Sequence, residues 1–324
     1  MSQYLLIQTP SGVHILSRIQ ANIFLLLAAV IWGSTFVIQK LVFLGDSELE
    51  LFTFTALRFG LGALVVLPFA WHESAKAFEP INRYTLVVFA LIGSILFGAL
   101  VFQQRGINLT SVTNAGFLTG LYVVIVPALA LVLFRKLPHW SAWPASCGCL
   151  GGLYFLNGGS LTEISTGDLW VIFSSFFWAL HIVLVGMFAA SSGRPLTLAC
   201  IQFSAGALLG FICTITFENP TLEVVMGFWP EILYAGAISV GIAFTLQVVG
   251  QRYTHPADAA LILVLEMPFA ALAATLFLEE QLSPMGFIGC CIILASVIGA
   301  EILPLLKNAV KNKSIKSANE KRRL

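Results

Sequence analysis

The chain has 324 residues, of which 58% are hydrophobic and 10% are charged, and its formal net charge is +1. An average soluble protein carries about 25% charged residues, so a water-soluble fold of this size is excluded and lipid is the expected solvent for most side chains. The small net charge gives no reason to expect a nucleic-acid partner. These properties predict an integral membrane protein.

Ten apolar runs follow one another along the chain, each close to the ~20 residues that a helix needs to cross a bilayer. The segment before them contains Pro10-Ser11-Gly12 and has no basic region ahead of a continuous apolar core, so it does not fit a cleaved signal peptide. The loops are short and leave no inserted soluble domain. The predicted fold class is all-α integral membrane with ten transmembrane helices. The predicted spans are 20–44, 51–71, 84–102, 112–134, 140–158, 168–190, 196–217, 229–250, 257–278 and 284–305.

Basic residues in the loops predict the side of the membrane on which each terminus lies. Of the 17 Lys and Arg residues, only Lys40, near the end of the first span, and Arg105 lie on the side opposite the N-terminus, and Arg58 lies deep inside the second span. Because loops rich in Lys and Arg stay in the cytoplasm, both termini are predicted to be cytoplasmic. The opposite loops carry acidic residues instead, namely Asp46, Glu48, Glu50, Glu163, Glu218, Glu223, Glu279 and Glu280.

The two halves of the sequence resemble each other. The run "LRFGLGAL" at 57–64 matches "IQFSAGAL" at 201–208, and "FQQRGINLTSVTNAG" from Phe102 matches "LQVVGQRYTHPADAA" from Leu246 at the same offset. Trp32 and Trp178 pair at nearly that offset. Matches at a near-constant spacing indicate an internal duplication. The predicted units are a cytoplasmic segment 1–19, a first five-helix repeat 20–158, a second five-helix repeat 159–306 and a basic cytoplasmic tail 307–324.

Each repeat carries five spans, and an odd number places the start of the second repeat on the opposite face. The repeats are therefore predicted to be inverted. Inverted repeats can exchange conformations so that a central site opens first to one face and then to the other. This favours a carrier over a pore, a receptor or an enzyme.

Several motifs in order give the chain a recognisable family resemblance. They are "IWGSTFV" at 31–37, "RF" at Arg58-Phe59, "TNAGFLTGLYVVIVPALALVL" from Thr113 and "LEMPFAALAATLFLEEQL" from Leu265. With ten duplicated spans, they resemble the drug/metabolite transporter superfamily, EamA-type, over nearly the whole chain. The resemblance implies a multi-pass carrier of the bacterial inner membrane, often an exporter of amino acids or related metabolites. It also implies a central cavity walled mainly by spans one, three, four, six, eight and nine. One departure is Met267, which separates Glu266 from Pro268.

Glu266 is the most informative polar residue within a span, since charged groups at mid-membrane are costly. Two hypotheses stay open for it: a proton-coupling or substrate-amine group, or a neutral acid hydrogen-bonded to a neighbouring helix or to backbone freed by Pro268. His181 is likewise either a titrating group or a hydrogen-bonding filler. Arg58 is expected to pair structurally with an outer acidic loop or a helix C-terminus, because its repeat counterpart, Gln202, is neutral.

Further polar and aromatic residues are candidates for substrate binding or gating. Trp32 and Trp178 lie at mid-span, away from the interfaces where tryptophans usually collect, so they either line a cavity or pack within the bundle. Hydrogen-bonding capacity comes from Ser34, Thr35, Asn114, Tyr122 and Gln247.

Pro127 in span four and Pro268 in span nine are predicted to break equivalent helices, at positions nearly one turn apart. Interrupted helices at matching places point to a transport site.

The sequence predicts neither a metal site nor a cofactor, since its His and Cys residues lack ligand spacing and no phosphate-binding GxxxxGK[ST] motif is present. The function predicted is a secondary transporter that exports small metabolites or amino acids by alternating access. The alternatives are a proton-coupled importer of the same fold and, less favoured, a membrane-embedded sensor or enzyme. The solute, the direction, proton coupling and the oligomeric state stay open.

Overall fold

The computed structural model describes residues 16–43, 49–110, 112–135, 137–159, 164–278 and 281–321, with side chains from 115 onward in the third range and up to 303 in the last. Within these ranges all regular structure is helical. An 11-residue π-helical segment, Tyr234–Phe244, connects α10 to α11. The α-helices are α1 Arg18–Phe43, α2 Leu51–Ala75, α3 Arg83–Ile107, α4 Val112–Thr119, α5 Tyr122–Phe134, α6 Ala142–Leu156, α7 Thr166–Ser192, α8 Pro195–Phe217, α9 Leu222–Gly227, α10 Trp229–Leu233, α11 Thr245–Gln251, α12 Pro256–Leu263, α13 Glu266–Phe277 and α14 Pro284–Lys321.

Nine helical stretches of the described chain are long and apolar enough to cross a membrane. They confirm nine of the ten predicted spans. The fourth span consists of α4 and α5, the eighth of α10 through α11, and the ninth of α12 and α13. The fifth, predicted at 140–158, contains the shorter helix α6 of 15 residues, which packs lengthwise against α14. Large apolar side chains such as Leu64, Phe69 and Ile215 are exposed on the outside of the bundle, as lipid contact requires.

The last helix is longer than the predicted tenth span. α14 continues to Lys321, so residues 307–321, which the sequence sets apart as a tail, extend the last helix. Lys, Ala and Glu in this segment are good helix formers. Residues 1–15 of the predicted N-terminal segment lie outside the described chain, as do the loop acids Asp46, Glu48, Glu163, Glu279 and Glu280.

The helices pack with an internal two-fold pattern. α2 packs against its repeat equivalent α8, and α6 against its equivalent α14. The pairing of α3 with α7 has its counterpart in α1, which packs against the π-helical segment and α11. The same residue pattern therefore produces the same helix pairings twice.

The end of α3 shows that the second repeat is inverted. A Cβ on Gly106 would lie 2.8 Å from the carbonyl oxygen of Gly167, at the start of α7, and Thr110 Oγ1 donates to Asp168 Oδ1 over 2.6 Å. Three crossings separate the start of α1 from the end of α3. α7 therefore begins on the face opposite to α1. We call the face where α1 begins the N-face and the opposite one the far face.

Two carboxylates cap the α2–α8 pair reciprocally, one on each face. At the far face, Glu218 after α8 accepts hydrogen bonds from the backbone N–H groups of Phe52 and Thr53 (both 2.6 Å) at the start of α2. At the N-face, Glu73 near the end of α2 accepts from the N–H groups of Leu196 (3.2 Å) and Thr197 (2.7 Å) in α8. A carboxylate on otherwise unpaired N–H groups also stabilises the positive end of a helix dipole.

The fourth and ninth spans are interrupted at equivalent positions. α4 and α5 are separated by Gly120 and Leu121, and α12 and α13 by Val264 and Leu265. The predicted one-turn difference between the two breaks is wrong, because neither break lies at its proline.

Both prolines lie within the helix that follows the break. Pro268 is in the first turn of α13, where no intrahelical N–H is needed. Pro127 lies inside α5, and the Val123 carbonyl that it leaves without an N–H partner accepts a hydrogen bond from Ser146 Oγ over 3.0 Å.

Candidate substrate site

A cavity of about 50 Å³, here called the chamber, lies at the boundary between the two repeats. α1, α2, α3 and α5 of the first repeat contribute to its wall, together with α7, the π-helical segment, α11, α12 and α13 of the second. Its lining residues are Trp32, Thr35, Phe36, Gln39, Arg58, Leu100, Gln103, Tyr122, Trp178, Ile182, Ser239, Phe244, Gln247, Leu263 and Glu266.

Six of the nine predicted substrate or gating residues line this chamber. They are Trp32, Thr35, Tyr122, Trp178, Gln247 and Glu266. Arg58, which the sequence assigned to structural pairing, lines it as well. The side chain of Asn114, in α4, is outside the described part of the chain.

Glu266 and Tyr122 meet across the chamber. The Tyr122 hydroxyl donates to Glu266 Oε1 over 3.1 Å, and the two residues lie 144 positions apart, which is the offset between the repeats. Each is the first residue of a helix after its break. A helix N-terminus is a favourable place for an acceptor or a negative charge. Glu266 is therefore hydrogen-bonded to a neighbouring helix and also faces the chamber.

Arg58 is a buried cation with aromatic neighbours. The residue is 3% exposed, and its guanidinium carbon lies 5.1 Å from the ring centre of Phe54 and 5.8 Å from that of Phe59. The ion pairs of the described residues do not include it, and its Nε is buried without a hydrogen-bond partner. The expected structural partner is thus not found in the described chain.

Three aromatic rings form one wall of the chamber. Phe244, the last residue of the π-helical segment, lies between Trp32 (ring centres 4.5 Å apart) and Trp178 (6.1 Å, nearly parallel). The Trp32 indole N–H donates to the Ser239 carbonyl oxygen over 3.4 Å. The indole N–H of Trp178 is buried with no partner in the described chain. The wall therefore joins the equivalent tryptophans of the two repeats through one phenylalanine.

His181 and Ser34 lie outside the chamber wall. His181 Nε2 shares a hydrogen bond of 3.0 Å with Gln202 Oε1, and its ring meets Trp178 and Phe244 edge-on from behind. Ser34 bonds the hydroxyl of Tyr234 over 2.6 Å, away from the chamber. Both residues support neighbours of the wall and do not belong to it.

Sequence reasoning missed several residues of the wall, including Phe36, Gln39, Gln103 and Phe244. Two of them carried a usable signal. Gln103 is the repeat equivalent of Gln247, and Gln39 lies one turn beyond Thr35 on the same face of α1. The phenylalanines carried none, because apolar residues are the background in a chain that lies in lipid.

A second cavity of about 320 Å³, here called the vestibule, lies between the chamber and the far face. α1, α4, α6 and α13 form its walls, and it extends to the loop residues Gln281 to Ser283. Its walls are mainly apolar, with Phe117, Leu156 and Met267 among them. Phe36 lines both cavities and stands between them.

At the N-face, an ionic cluster ties α1 to the second repeat. Arg18 lies 3.0 Å from Asp258 in α12 and 3.4 Å from Glu301 in α14. Asn22 donates to Glu301 over 2.8 Å. We call Arg18, Asn22, Asp258 and Glu301 the N-face cluster. It lies on the side of the bundle away from the vestibule.

Comparison with known proteins places this architecture in a family. The EamA-like transporter family matches residues 19–158 and again residues 165–301. The chain belongs to this family. The EamA-like match occurs twice, as the duplication and the repeated helix pairings require, and it confirms the resemblance seen in the motifs.

Relatives of this EamA-like chain are transporters by name. An uncharacterised transporter of Archaeoglobus fulgidus is 29% identical over 90% of this chain and 89% of its own length. An uncharacterised transporter of Synechocystis is 24% identical over 87% and 89%. A solved crystal structure matches with a TM-score of 0.72 and 19% identity, over 89% of this chain and 98% of that one, and supports the fold alone. The chain is thus a multi-pass membrane transporter, and the family points away from an enzyme.

Proposed function

We propose that this EamA-like transporter is a secondary carrier that exports small metabolites or amino acids across the bacterial inner membrane by alternating access. One observation carries the proposal. The chamber lies between inverted repeats, with the N-face cluster on one side and the vestibule on the other. A site at the repeat interface is where rocking of one repeat against the other changes access.

The two sides of the chamber differ in how they are closed. Toward the N-face, α1 is joined to α12 and α14 by ion pairs and hydrogen bonds. Toward the far face, Phe36 separates the chamber from the vestibule. This arrangement corresponds to a conformation with a closed N-face. The positive-inside pattern predicts that the N-face is cytoplasmic. In the export cycle that we propose, solute enters from the N-face when it opens and leaves through the vestibule.

Counterflow in proteoliposomes tests carriage itself. Vesicles loaded with unlabelled amino acids and organic acids are diluted into the same labelled solutes at trace concentration. A carrier accumulates label transiently because it exchanges internal for external solute. Protein-free vesicles serve as the blank. A sensor or an enzyme gives no counterflow with any solute, and this outcome would contradict the proposal.

A proton-coupled importer is the second candidate, and Glu266 is the observation that favours it. Its carboxyl faces the chamber and is held by Tyr122, where a proton can reach it together with the solute. An imposed pH gradient separates the candidates. An importer concentrates solute against its gradient when protons flow inward, and an exporter without coupling does not.

A further inference from the structure

We propose that the chamber selects solutes by a carboxylate group, and that Arg58 is the residue that binds it. This inference rests on the transport function proposed above and adds the chemical class of the solute. The solute we infer is a small amphipathic acid. Its carboxylate lies in the chamber and its apolar part extends past Phe36 into the vestibule.

The first support is the state of Arg58. A buried charge without compensation is strongly unfavourable, yet Arg58 is only 3% exposed and forms no ion pair in the described chain. Phe54 and Phe59 compensate it only through their rings. Glu266 lines the same chamber but is bonded to Tyr122 instead. The guanidinium is therefore available for an anion that enters the chamber.

The second support is that the fold does not require a charge at this position. The repeat equivalent of Arg58 is Gln202, which is neutral, fully buried and bonded to His181. The equivalent position of the second repeat is thus occupied by a neutral amide side chain. Only the first repeat has a charged residue at this position, and that residue lines the chamber. This is the arrangement expected for a residue that binds solute.

The third support is a second unpartnered donor among the lining residues. Trp178 lines the chamber, and its indole N–H is buried and has no partner in the described chain. A guanidinium and an N–H donor together suit the two oxygens of a carboxylate. A neutral sugar or an organic cation would leave the guanidinium uncompensated.

The fourth support is the size and polarity of the two cavities. The chamber, at about 50 Å³, is several times the ~10–15 Å³ that a cavity needs to hold one water, so it has room for a small polar group such as a carboxylate. The adjoining vestibule, at about 320 Å³, is lined mainly by apolar side chains. The remainder of the solute is therefore apolar, and Phe36 must turn aside to let it pass.

Binding to the purified protein in detergent tests the inference with matched acids and amides. The probes are hexanoate and phenylacetate against hexanamide and phenylacetamide. A ligand that binds the folded state raises its melting temperature. We expect the acids to raise it and the amides to have at least 10-fold weaker affinity, because the amides lack the charge. Acids and amides that bind alike, or a panel in which neither acid binds, would overturn the inference.

Variants of Arg58 locate the interaction. Arg58→Gln copies the repeat equivalent, and we expect at least a 10-fold loss of acid affinity with a melting temperature equal to or above that of the parent. Arg58→Lys keeps the positive charge but loses the planar guanidinium. Its affinity for the acids should lie between those of the parent and Arg58→Gln. Arg105→Gln, on the exposed end of α3, is the control and should bind like the parent. If folded Arg58→Gln binds the acids as tightly as the parent, the assignment is wrong. It is also wrong if Arg58→Lys and Arg58→Gln bind the acids with equal affinity.

The two proposals fail in different ways. If acids bind through Arg58 but counterflow is absent for every solute, transport is refuted and the carboxylate site stands. If counterflow proceeds for amides and acids at equal rates, transport stands and selection by carboxylate is refuted.

Discussion

The reciprocal caps of α2 and α8 allow a quantitative test of how the two repeats are joined. Glu218 is 7% exposed and accepts three hydrogen bonds, from the N–H groups of Phe52 and Thr53 and from the Thr53 hydroxyl, at 2.6 to 2.7 Å. The ion pairs of the described chain do not include it. Among the described residues, its negative charge is therefore compensated by the start of α2.

We expect Glu218→Ala to lower the free energy of unfolding by about 2–3 kcal/mol. A single hydrogen bond to a charged group contributes about 1.5–3 kcal/mol, and loss of a helix cap costs about 0.5–2 kcal/mol, while water at the membrane surface replaces part of the lost bonding. Glu73→Ala should cost about 1–2 kcal/mol, because Glu73 is less buried and one of its bonds is longer, at 3.2 Å. Glu218→Gln keeps one acceptor oxygen and should lie between the alanine variant and the parent.

Thermal unfolding in detergent, followed by circular dichroism, measures these differences. A loss of about 2–3 kcal/mol corresponds to a fall of about 4–12 °C in the melting temperature, at ~2–4 °C per kcal/mol. Glu50→Gln is the matched control, since Glu50 is exposed at the start of α2 and its side chain caps nothing. If Glu218→Ala melts within about 1 °C of Glu50→Gln, the caps do not hold the repeats together and the reasoning fails.

Four further changes test single contacts of the site and the bundle. Glu266→Gln keeps the volume and a hydrogen-bond acceptor but removes the ionisable carboxyl; transport should fall at least 10-fold with expression intact, and normal flux from pH 5 to 8 would exclude it from coupling. Phe36→Ala should join chamber and vestibule and admit larger solutes in counterflow; an unchanged size limit would contradict its position as a barrier. Ser146→Ala leaves a buried carbonyl unpaired and should cost about 1–2 kcal/mol in thermal unfolding; no change would mean that water replaces the hydroxyl. Gly152→Ala should lower the free energy of unfolding by about 1–3 kcal/mol, because its Cβ would lie 2.7 Å from the α14 backbone. Gly151→Ala is the control, since a Cβ there meets open space. Equal melting temperatures of the two variants would refute the close helix contact.

The membrane itself makes the fold of this chain readable from its sequence. Lipid requires long apolar helices, so the spans stand out by length and hydropathy, and the duplication makes each half support the other. The fifth span is the one whose helix is shorter than predicted. Its described helix has only 15 residues, and the predicted span is longer because hydropathy does not distinguish helical residues from apolar residues in the adjoining turns.

Because apolar residues are common throughout the chain, part of the site cannot be recognised from the sequence. Trp32, Trp178, Gln247 and Glu266 stand out because polar or aromatic groups at mid-span are uncommon, and all four line the chamber. Phe244, which joins the two tryptophans, is one of 26 phenylalanines and has no distinguishing pattern. Its place depends on the π-helical segment, which shifts the register of the eighth span in a way that composition does not reveal.

The prolines show where a local rule gives the wrong position. Pro127 suggests a break at its own turn, but Ser146 from a neighbouring helix satisfies the carbonyl that the proline leaves free, so α5 continues through it. The break lies earlier, at Gly120 and Leu121. A tertiary hydrogen bond therefore overrides the local signal, and no single-sequence pattern contains it.

The coupling of the two faces can be measured directly by spin-label distances in proteoliposomes. One pair, at Ile19 and Ile302, reports the N-face, and a second pair, at Leu41 and Leu282, reports the far face; all four side chains are exposed. Arg18→Ala removes the ion pairs of the N-face cluster and should lengthen the first distance in a fraction of molecules. Alternating access predicts that the far-face pair shortens in the same fraction. An N-face that opens while the far-face distances stay unchanged would contradict a single chamber with alternating access.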